Sequence, residues 1–169
     1  MIMQTELSRP SALWKSLSSE RRLDAARAFW ADDQAVAEQA EVVGIIARQI
    51  NFRPKSVVSM PAERRAAHLA RMGNVSDSVA GRLLVSLHLA RQRPMMAAFL
   101  DSLGIAHEDG LISADQLDAP DQTKLTEAAD ALATKFPLAD VVLYVSTLLA
   151  QDPATWGGLA DWVSGRTQG

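Results

Sequence analysis

Two short stretches hold the residue types best able to grip an anion. "ARQINFRPK", Ala47 to Lys55, and "ARQRP", Ala90 to Pro94, both set arginines among less polar neighbours and run into a proline. A guanidinium fork pairs bidentately with carboxylate or phosphate oxygens. Arg48, Arg53, Lys55, Arg91 and Arg93 are therefore candidate ligands for an anionic partner, with Arg64, Arg65 and Arg71 as neighbours of the same sign. The same residues have a plainer explanation. Cations in the last turn of a helix complement the negative end of its dipole, and a following proline stops the helix.

Other chemistry is thinly represented. With no cysteine in the chain, disulfides, thiolate metal sites and cysteine nucleophiles are excluded. The three histidines, His68, His88 and His107, form no His-x-x-x-His or Glu-x-x-His pattern, and no catalytic elbow or glycine-rich phosphate loop is present. His68 and His88 fall inside expected helices and read as structural. His107 falls in a loop, where it would be accessible, and is the one histidine singled out for chemistry. "HEDGLISADQL", His107 to Leu117, imitates half of an EF-hand loop. With Gly110 at the turn position, however, Ile105, His107 and Asp109 occupy the first three ligand positions and Gln116 replaces the bidentate Glu. Calcium binding by that motif is rejected. The segment reads instead as a turn followed by a helix capped by Ser113, with Gln116 three residues on. A looser metal site from Asp101, His107, Glu108 and Asp109 is a weaker alternative. No cofactor and no catalytic residue is assigned.

These residues need elements to position them. Apolar residues recur at three- and four-residue intervals through nearly the whole chain, the helical signal, and no alternating run demands a sheet. Ser18 or Ser19 caps a helix to about Trp30, and Asp32 or Asp33 caps one to about Ile50. Pro61 opens a helix ending at Gly73. Asn74 or Ser76 caps a long helix to Gln92, and Pro94 opens a shorter one ending near Gly104. Asp118 or Pro120, Pro137, and Asp152-Pro153 begin the last three.

A repeat runs through this series. "SLSSERR", Ser16 to Arg22, matches "SMPAERR", Ser59 to Arg65, and the two Ala-Arg-Gln tripeptides match at the same offset of 43 residues. Each copy has Glu-Arg-Arg at the start of a first helix and Ala-Arg-Gln at the end of a second. "RLLVSLHLARQ" and "VLYVSTLLAQD" suggest a looser third copy. A two-helix period of this length resembles the HEAT class of α-solenoid repeats in length and layout, over roughly the first 95 residues and in pattern only. The expectation is an all-α protein of about eight helices in consecutive hairpins, either a HEAT-like solenoid or a compact helical bundle. A single domain over 1–169 is expected, with hairpin units at about 16–53, 59–94 and 120–153.

Charge is unevenly spread. Residues 45–100 hold 9 basic and 2 acidic side chains, whereas residues 101–169 hold 3 basic and 11 acidic, with a net charge of −3 for the chain. The middle and the tail can neutralise one another. Nucleic acid is disfavoured, because the pI is about 5.6 and Phe52 is the single aromatic between Arg48 and Arg93. The start of the chain has no basic segment before an apolar core, and Leu138 to Ala150 is too short to span a bilayer, so a soluble cytoplasmic protein with no membrane partner is expected. Trp14, Trp30, Trp156 and Trp162 lie near the chain ends and are expected to seal the core, as are Met95, Met96 and Phe99. The functional expectation is a non-enzymatic scaffold that recognises a protein or peptide through a basic edge formed by Arg48, Arg53, Lys55, Arg91 and Arg93. A small-ligand or metal site near His107 is the alternative, and nucleic-acid binding, though disfavoured by the charge balance, is the second alternative.

Overall fold

The computed structural model describes residues 9–167. The fold is all-α, with one two-stranded hairpin among the described residues. These residues group into two compact units that meet in sequence between Ala90 and Arg91. None of the described helices is long and apolar enough to cross a membrane.

In the first unit, α1 spans Pro10–Ser16, α2 Ser19–Ala31, α3 Val36–Gln49, α4 Pro54–Val58, α5 Ala62–Ala70 and α6 Asp77–Arg91, the last residue of α6 being the first of the second unit. Local chemistry sets most of the starts. Ser18 accepts the Arg21 N–H at 3.2 Å and caps α2, and Ser76 accepts from Val79 at 3.2 Å at the start of α6; each satisfies one of the donors a helix N-terminus leaves open. Pro10 and Pro54 each occupy a first-turn position, where a missing N–H costs nothing. Helices α2 and α5 pack on one another through buried Ala25, Ala26 and Phe29 on one side and Ala66 and Leu69 on the other. Trp14 is fully buried and donates its indole N–H to the Met72 carbonyl at 2.7 Å. The two Glu-Arg-Arg triplets stand at the starts of α2 and α5, and the two Ala-Arg-Gln triplets at the ends of α3 and α6.

Several boundaries differ from expectation. Helix α5 stops at Ala70 instead of running to Gly73, where Trp14 binds the turn. Helix α3 starts at Val36, beyond Asp32 and Asp33, and has no side-chain cap because its N-cap residue is Ala35. Short helices such as α1 and α4 were not expected as separate elements, since five to seven residues carry too little periodicity to read.

The second unit contains α7 Arg93–Ser102, β1 His107–Glu108, β2 Leu111–Ile112, α8 Gln122–Lys135, α9 Leu138–Gln151, α10 Pro153–Trp156, a 3-10 turn Gly157–Leu159 and α11 Ala160–Thr167. Asp152 caps α10 by accepting the Thr155 N–H at 3.2 Å. Phe99 meets Tyr144 edge-on at 5.7 Å and lies 6.0 Å from Trp156. Met95 and Met96 are buried, and Trp162 is buried with its N–H on Asp130 at 2.8 Å. These residues fill the core, as expected.

The hairpin corrects the reading of residues 107–117 as a turn and a helix. His107 pairs with Ile112 and Glu108 with Leu111, and no helix follows Ser113 before Gln122. The cause is the Asp109-Gly110 pair at the tip. Both residues adopt positive φ, 52° and 93°, which a two-residue hairpin turn with the right twist requires. A Cβ on Gly110 would lie 2.9 Å from Met96 Cβ, so the tip also sits directly on α7.

Candidate anion-binding surface

The first unit holds 12 Lys and Arg against 8 Asp and Glu in residues 9–90, and the imbalance is concentrated between Arg48 and Arg71. Helix α3 ends in a Schellman-type cap. The Phe52 N–H reaches back to Ala47 O at 2.8 Å, the Ile50 N–H reaches Ile46 O at 3.0 Å, and Asn51 takes the left-handed conformation at φ 56°. The cap turns the chain outward, leaving Arg48, Phe52 and Arg53 exposed. Pro54 then starts α4, which buries Val57 and leaves Lys55 and Val58 exposed. Val57 thus pegs the segment to the unit while the cations face solvent.

Helix α5 carries a second set. Arg64, His68 and Arg71 recur at four and three residues, so they share one helical face. Arg64 and Arg71 are exposed and His68 is half-buried. Arg65 is half-buried with its guanidinium carbon 4.9 Å from the centre of the Trp30 ring, a cation–π arrangement. Its Nε and the Trp30 indole nitrogen are both buried donors without an acceptor among the described residues.

Glu63 is the only carboxylate between Val42 and Ser76, and it is already engaged. Arg27 holds it through two hydrogen bonds of 2.6 and 3.1 Å. That pairing lowers the Glu63 pKa and raises that of Arg27, the mutual hydrogen bond being the largest cause for both. By contrast, other arginines of the unit have acceptors: Arg22 bonds the Trp14 and Lys15 carbonyls, and Arg82 pairs with Asp32 at 2.6 Å. Arg48, Arg53, Lys55, Arg64, Arg65 and Arg71 have no carboxylate partner among the described residues.

Arg91 and Arg93 belong to the second unit. Arg91 is exposed. Arg93 reaches across to the hairpin tip, donating to the Asp109 carbonyl at 3.1 Å and lying 3.5 Å from its carboxylate. It therefore serves to hold the hairpin on α7.

His107 is less accessible than a loop position suggests, its side chain being 13 % exposed. Its Nε2 lies 2.7 Å from Asp101 Oδ1, and its Nδ1 accepts the Gly110 N–H at 3.1 Å. An imidazole accepting at Nδ1 donates at Nε2, so this geometry selects the Nε2–H tautomer. Both nitrogens are hydrogen-bonded, one to the preceding helix and one to the hairpin turn. Among the described residues no three His, Asp or Glu side chains gather as metal ligands.

One polar cluster had no local signal. The Asp32 carboxylate, 14 % exposed, accepts from Arg82 at 3.1 and 2.6 Å and from Ser86 at 2.7 Å, and its other oxygen takes the Gln34 N–H at 2.9 Å. Burial raises its pKa, but the Ser86 and Arg82 hydrogen bonds and the Arg82 charge outweigh this and leave it lowered. Both carboxylate oxygens are engaged, one by α6 and one by the Gln34 backbone, which makes this a structural clamp between the α2–α3 corner and α6. No family model, curated protein or solved structure matches the chain, so the functional reading rests on the chemistry of the basic surface.

Proposed function

We propose that this chain is a non-enzymatic binding module whose basic surface, centred on Arg48, Arg53 and Lys55 and extended by α5, takes an acidic segment of a partner protein. One observation carries the reading: the cations of residues 48–71 have no carboxylate partner among the described residues, the single acid of that stretch being held by Arg27. Unneutralised cations of one sign attract an opposite potential and repel like-charged partners. The reading does not require Arg91 or Arg93. The same reading takes the protein to be soluble and cytoplasmic, and takes residues 16–94 as two HEAT-like hairpins, supported by the matching helix positions of the Glu-Arg-Arg and Ala-Arg-Gln triplets.

The test is fluorescence anisotropy with a labelled peptide of Asp, Glu, Ser and Gly. Exposed ion pairs each contribute roughly 0.2–1 kcal/mol. The triple variant Arg48→Ala, Arg53→Ala, Lys55→Ala should therefore bind about tenfold more weakly with its helical circular dichroism unchanged. Raising salt from about 0.1 M to about 1 M, which shrinks the screening length from about 10 Å to about 3 Å, should weaken the wild type more than the variant. Equal affinity of variant and wild type refutes the assignment.

A further inference from the structure

We propose that Phe52 and Val58 form an apolar anchor within this basic surface, so that the acidic partner segment it selects carries a large aliphatic or aromatic residue among its carboxylates. This rests on the anion-binding reading above and adds the chemistry of the partner to it.

Phe52 is 46 % exposed and Val58 57 %. In a Schellman cap the residue in the place of Phe52 often folds back onto the last turn of its helix; here nearly half of its surface stays in solvent. The backbone beneath both residues is fixed. The cap bonds to Ala47 and Ile46 hold one side. On the other, the Ser56 and Val57 N–H groups bond to Arg53 O at 2.9 and 3.3 Å, and the Ser59 N–H bonds to Lys55 O at 3.1 Å. Fully buried Val57 and nearly buried Met60 fasten the segment underneath. A surface held this way loses little conformational freedom when a ligand settles on it.

Spacing and charge decide what fits. Phe52 stands two residues before α4 and Val58 is its last residue; α4 is only about 7.5 Å long, so the two lie within the span of one short segment. Arg53 and Lys55 lie between them and Arg48 precedes them, with no carboxylate in the stretch. Apolar side chains interleaved with cations complement apolar side chains interleaved with carboxylates. A purely acidic chain would leave Phe52 and Val58 wet, and a purely apolar one would strand the cations.

The experiment compares two fluorescein-labelled peptides of identical acidic composition, one with a central Leu-Leu pair and one with Ser-Ser in its place. Burying the leucines should make the wild type prefer the first by about tenfold. The Phe52→Ser, Val58→Ser variant should lose that preference and keep salt-sensitive binding of the Ser-Ser peptide. The Arg53→Ala, Lys55→Ala variant should weaken both peptides alike. Equal wild-type affinity for the two peptides overturns the anchor and leaves the basic-surface reading standing. Absence of binding to either overturns both. A wild-type mass in sedimentation that falls to that of a monomer on the Phe52→Ser, Val58→Ser change overturns the anchor too, since the patch would then join copies of the chain. Because the peptide comparison is made on the unaltered protein, it does not depend on the variants folding.

Discussion

Removing the Asp32 carboxylate is the sharpest test of what holds the first unit together. It accepts two bonds from Arg82 and one from Ser86, whose side chains come from a helix 50 and 54 residues further along the chain. Asp32→Ala would strand the Arg82 guanidinium, 23 % exposed, and the Ser86 hydroxyl, whose residue is 3 % exposed. Breaking a buried pair from one side costs about 3–5 kcal/mol, and partial exposure of the arginine brings the expectation to about 3 kcal/mol. Ser86→Ala removes one donor and should cost about 1 kcal/mol. In urea denaturation followed by helical circular dichroism, a slope of about 2 kcal/mol/M converts the Asp32→Ala cost into a midpoint lowered by about 1.5 M. Acid adds an independent check. Because the folded-state pKa of Asp32 lies below its ordinary 3.8, its contribution is complete above that value and is lost as pH falls through the lower folded value. Asp32→Asn should flatten this part of the acid profile. A midpoint change below about 0.25 M for Asp32→Ala, about 0.5 kcal/mol, would refute the clamp.

Two glycines should respond in opposite directions. Gly110→Ala forces a side chain into φ 93° and against Met96 Cβ, and should cost about 2–3 kcal/mol and speed amide exchange across residues 107–112; unchanged exchange would contradict the tight seating of the hairpin. Gly44 lies inside α3 with open space around the position of its missing Cβ, so Gly44→Ala should stabilise by about 0.5–1 kcal/mol, read as a higher urea midpoint.

What could be read from the sequence was what is decided within a few residues. Ser18, Ser76 and Asp152 cap helices where expected because a cap acts on an N–H two or three positions away. The Asp109-Gly110 tip is equally local, but the Ser113 and Gln116 spacing, which imitates a capping box, pointed to a helix there instead of a hairpin. The Asp32 clamp and the Arg65–Trp30 stack join residues 35 to 54 positions apart, and no spacing rule reports such meetings. Arg48, Arg53 and Lys55 were legible as cations, but that Arg27 engages Glu63, the one acid of residues 48–71, from another helix could not be read from spacing. Arg93 shows the same dependence in reverse: a residue chosen for its charge is drawn to the hairpin by Asp109. His107 looked accessible from its loop and is instead covered by the turn it helps to tie.

The tryptophans divide evenly, Trp14 and Trp30 within residues 9–90 and Trp156 and Trp162 within residues 91–167. The protein therefore carries a separate optical probe in each half. A Trp14→Phe, Trp30→Phe chain would emit from the second half alone, so the melting of each half can be timed without an added dye. Trp30 offers something further, since its indole lies under the Arg65 guanidinium of the basic surface. An anion drawing that guanidinium aside would change the emission of the ring beneath it, giving a label-free signal of occupancy at the place where a partner is expected to settle.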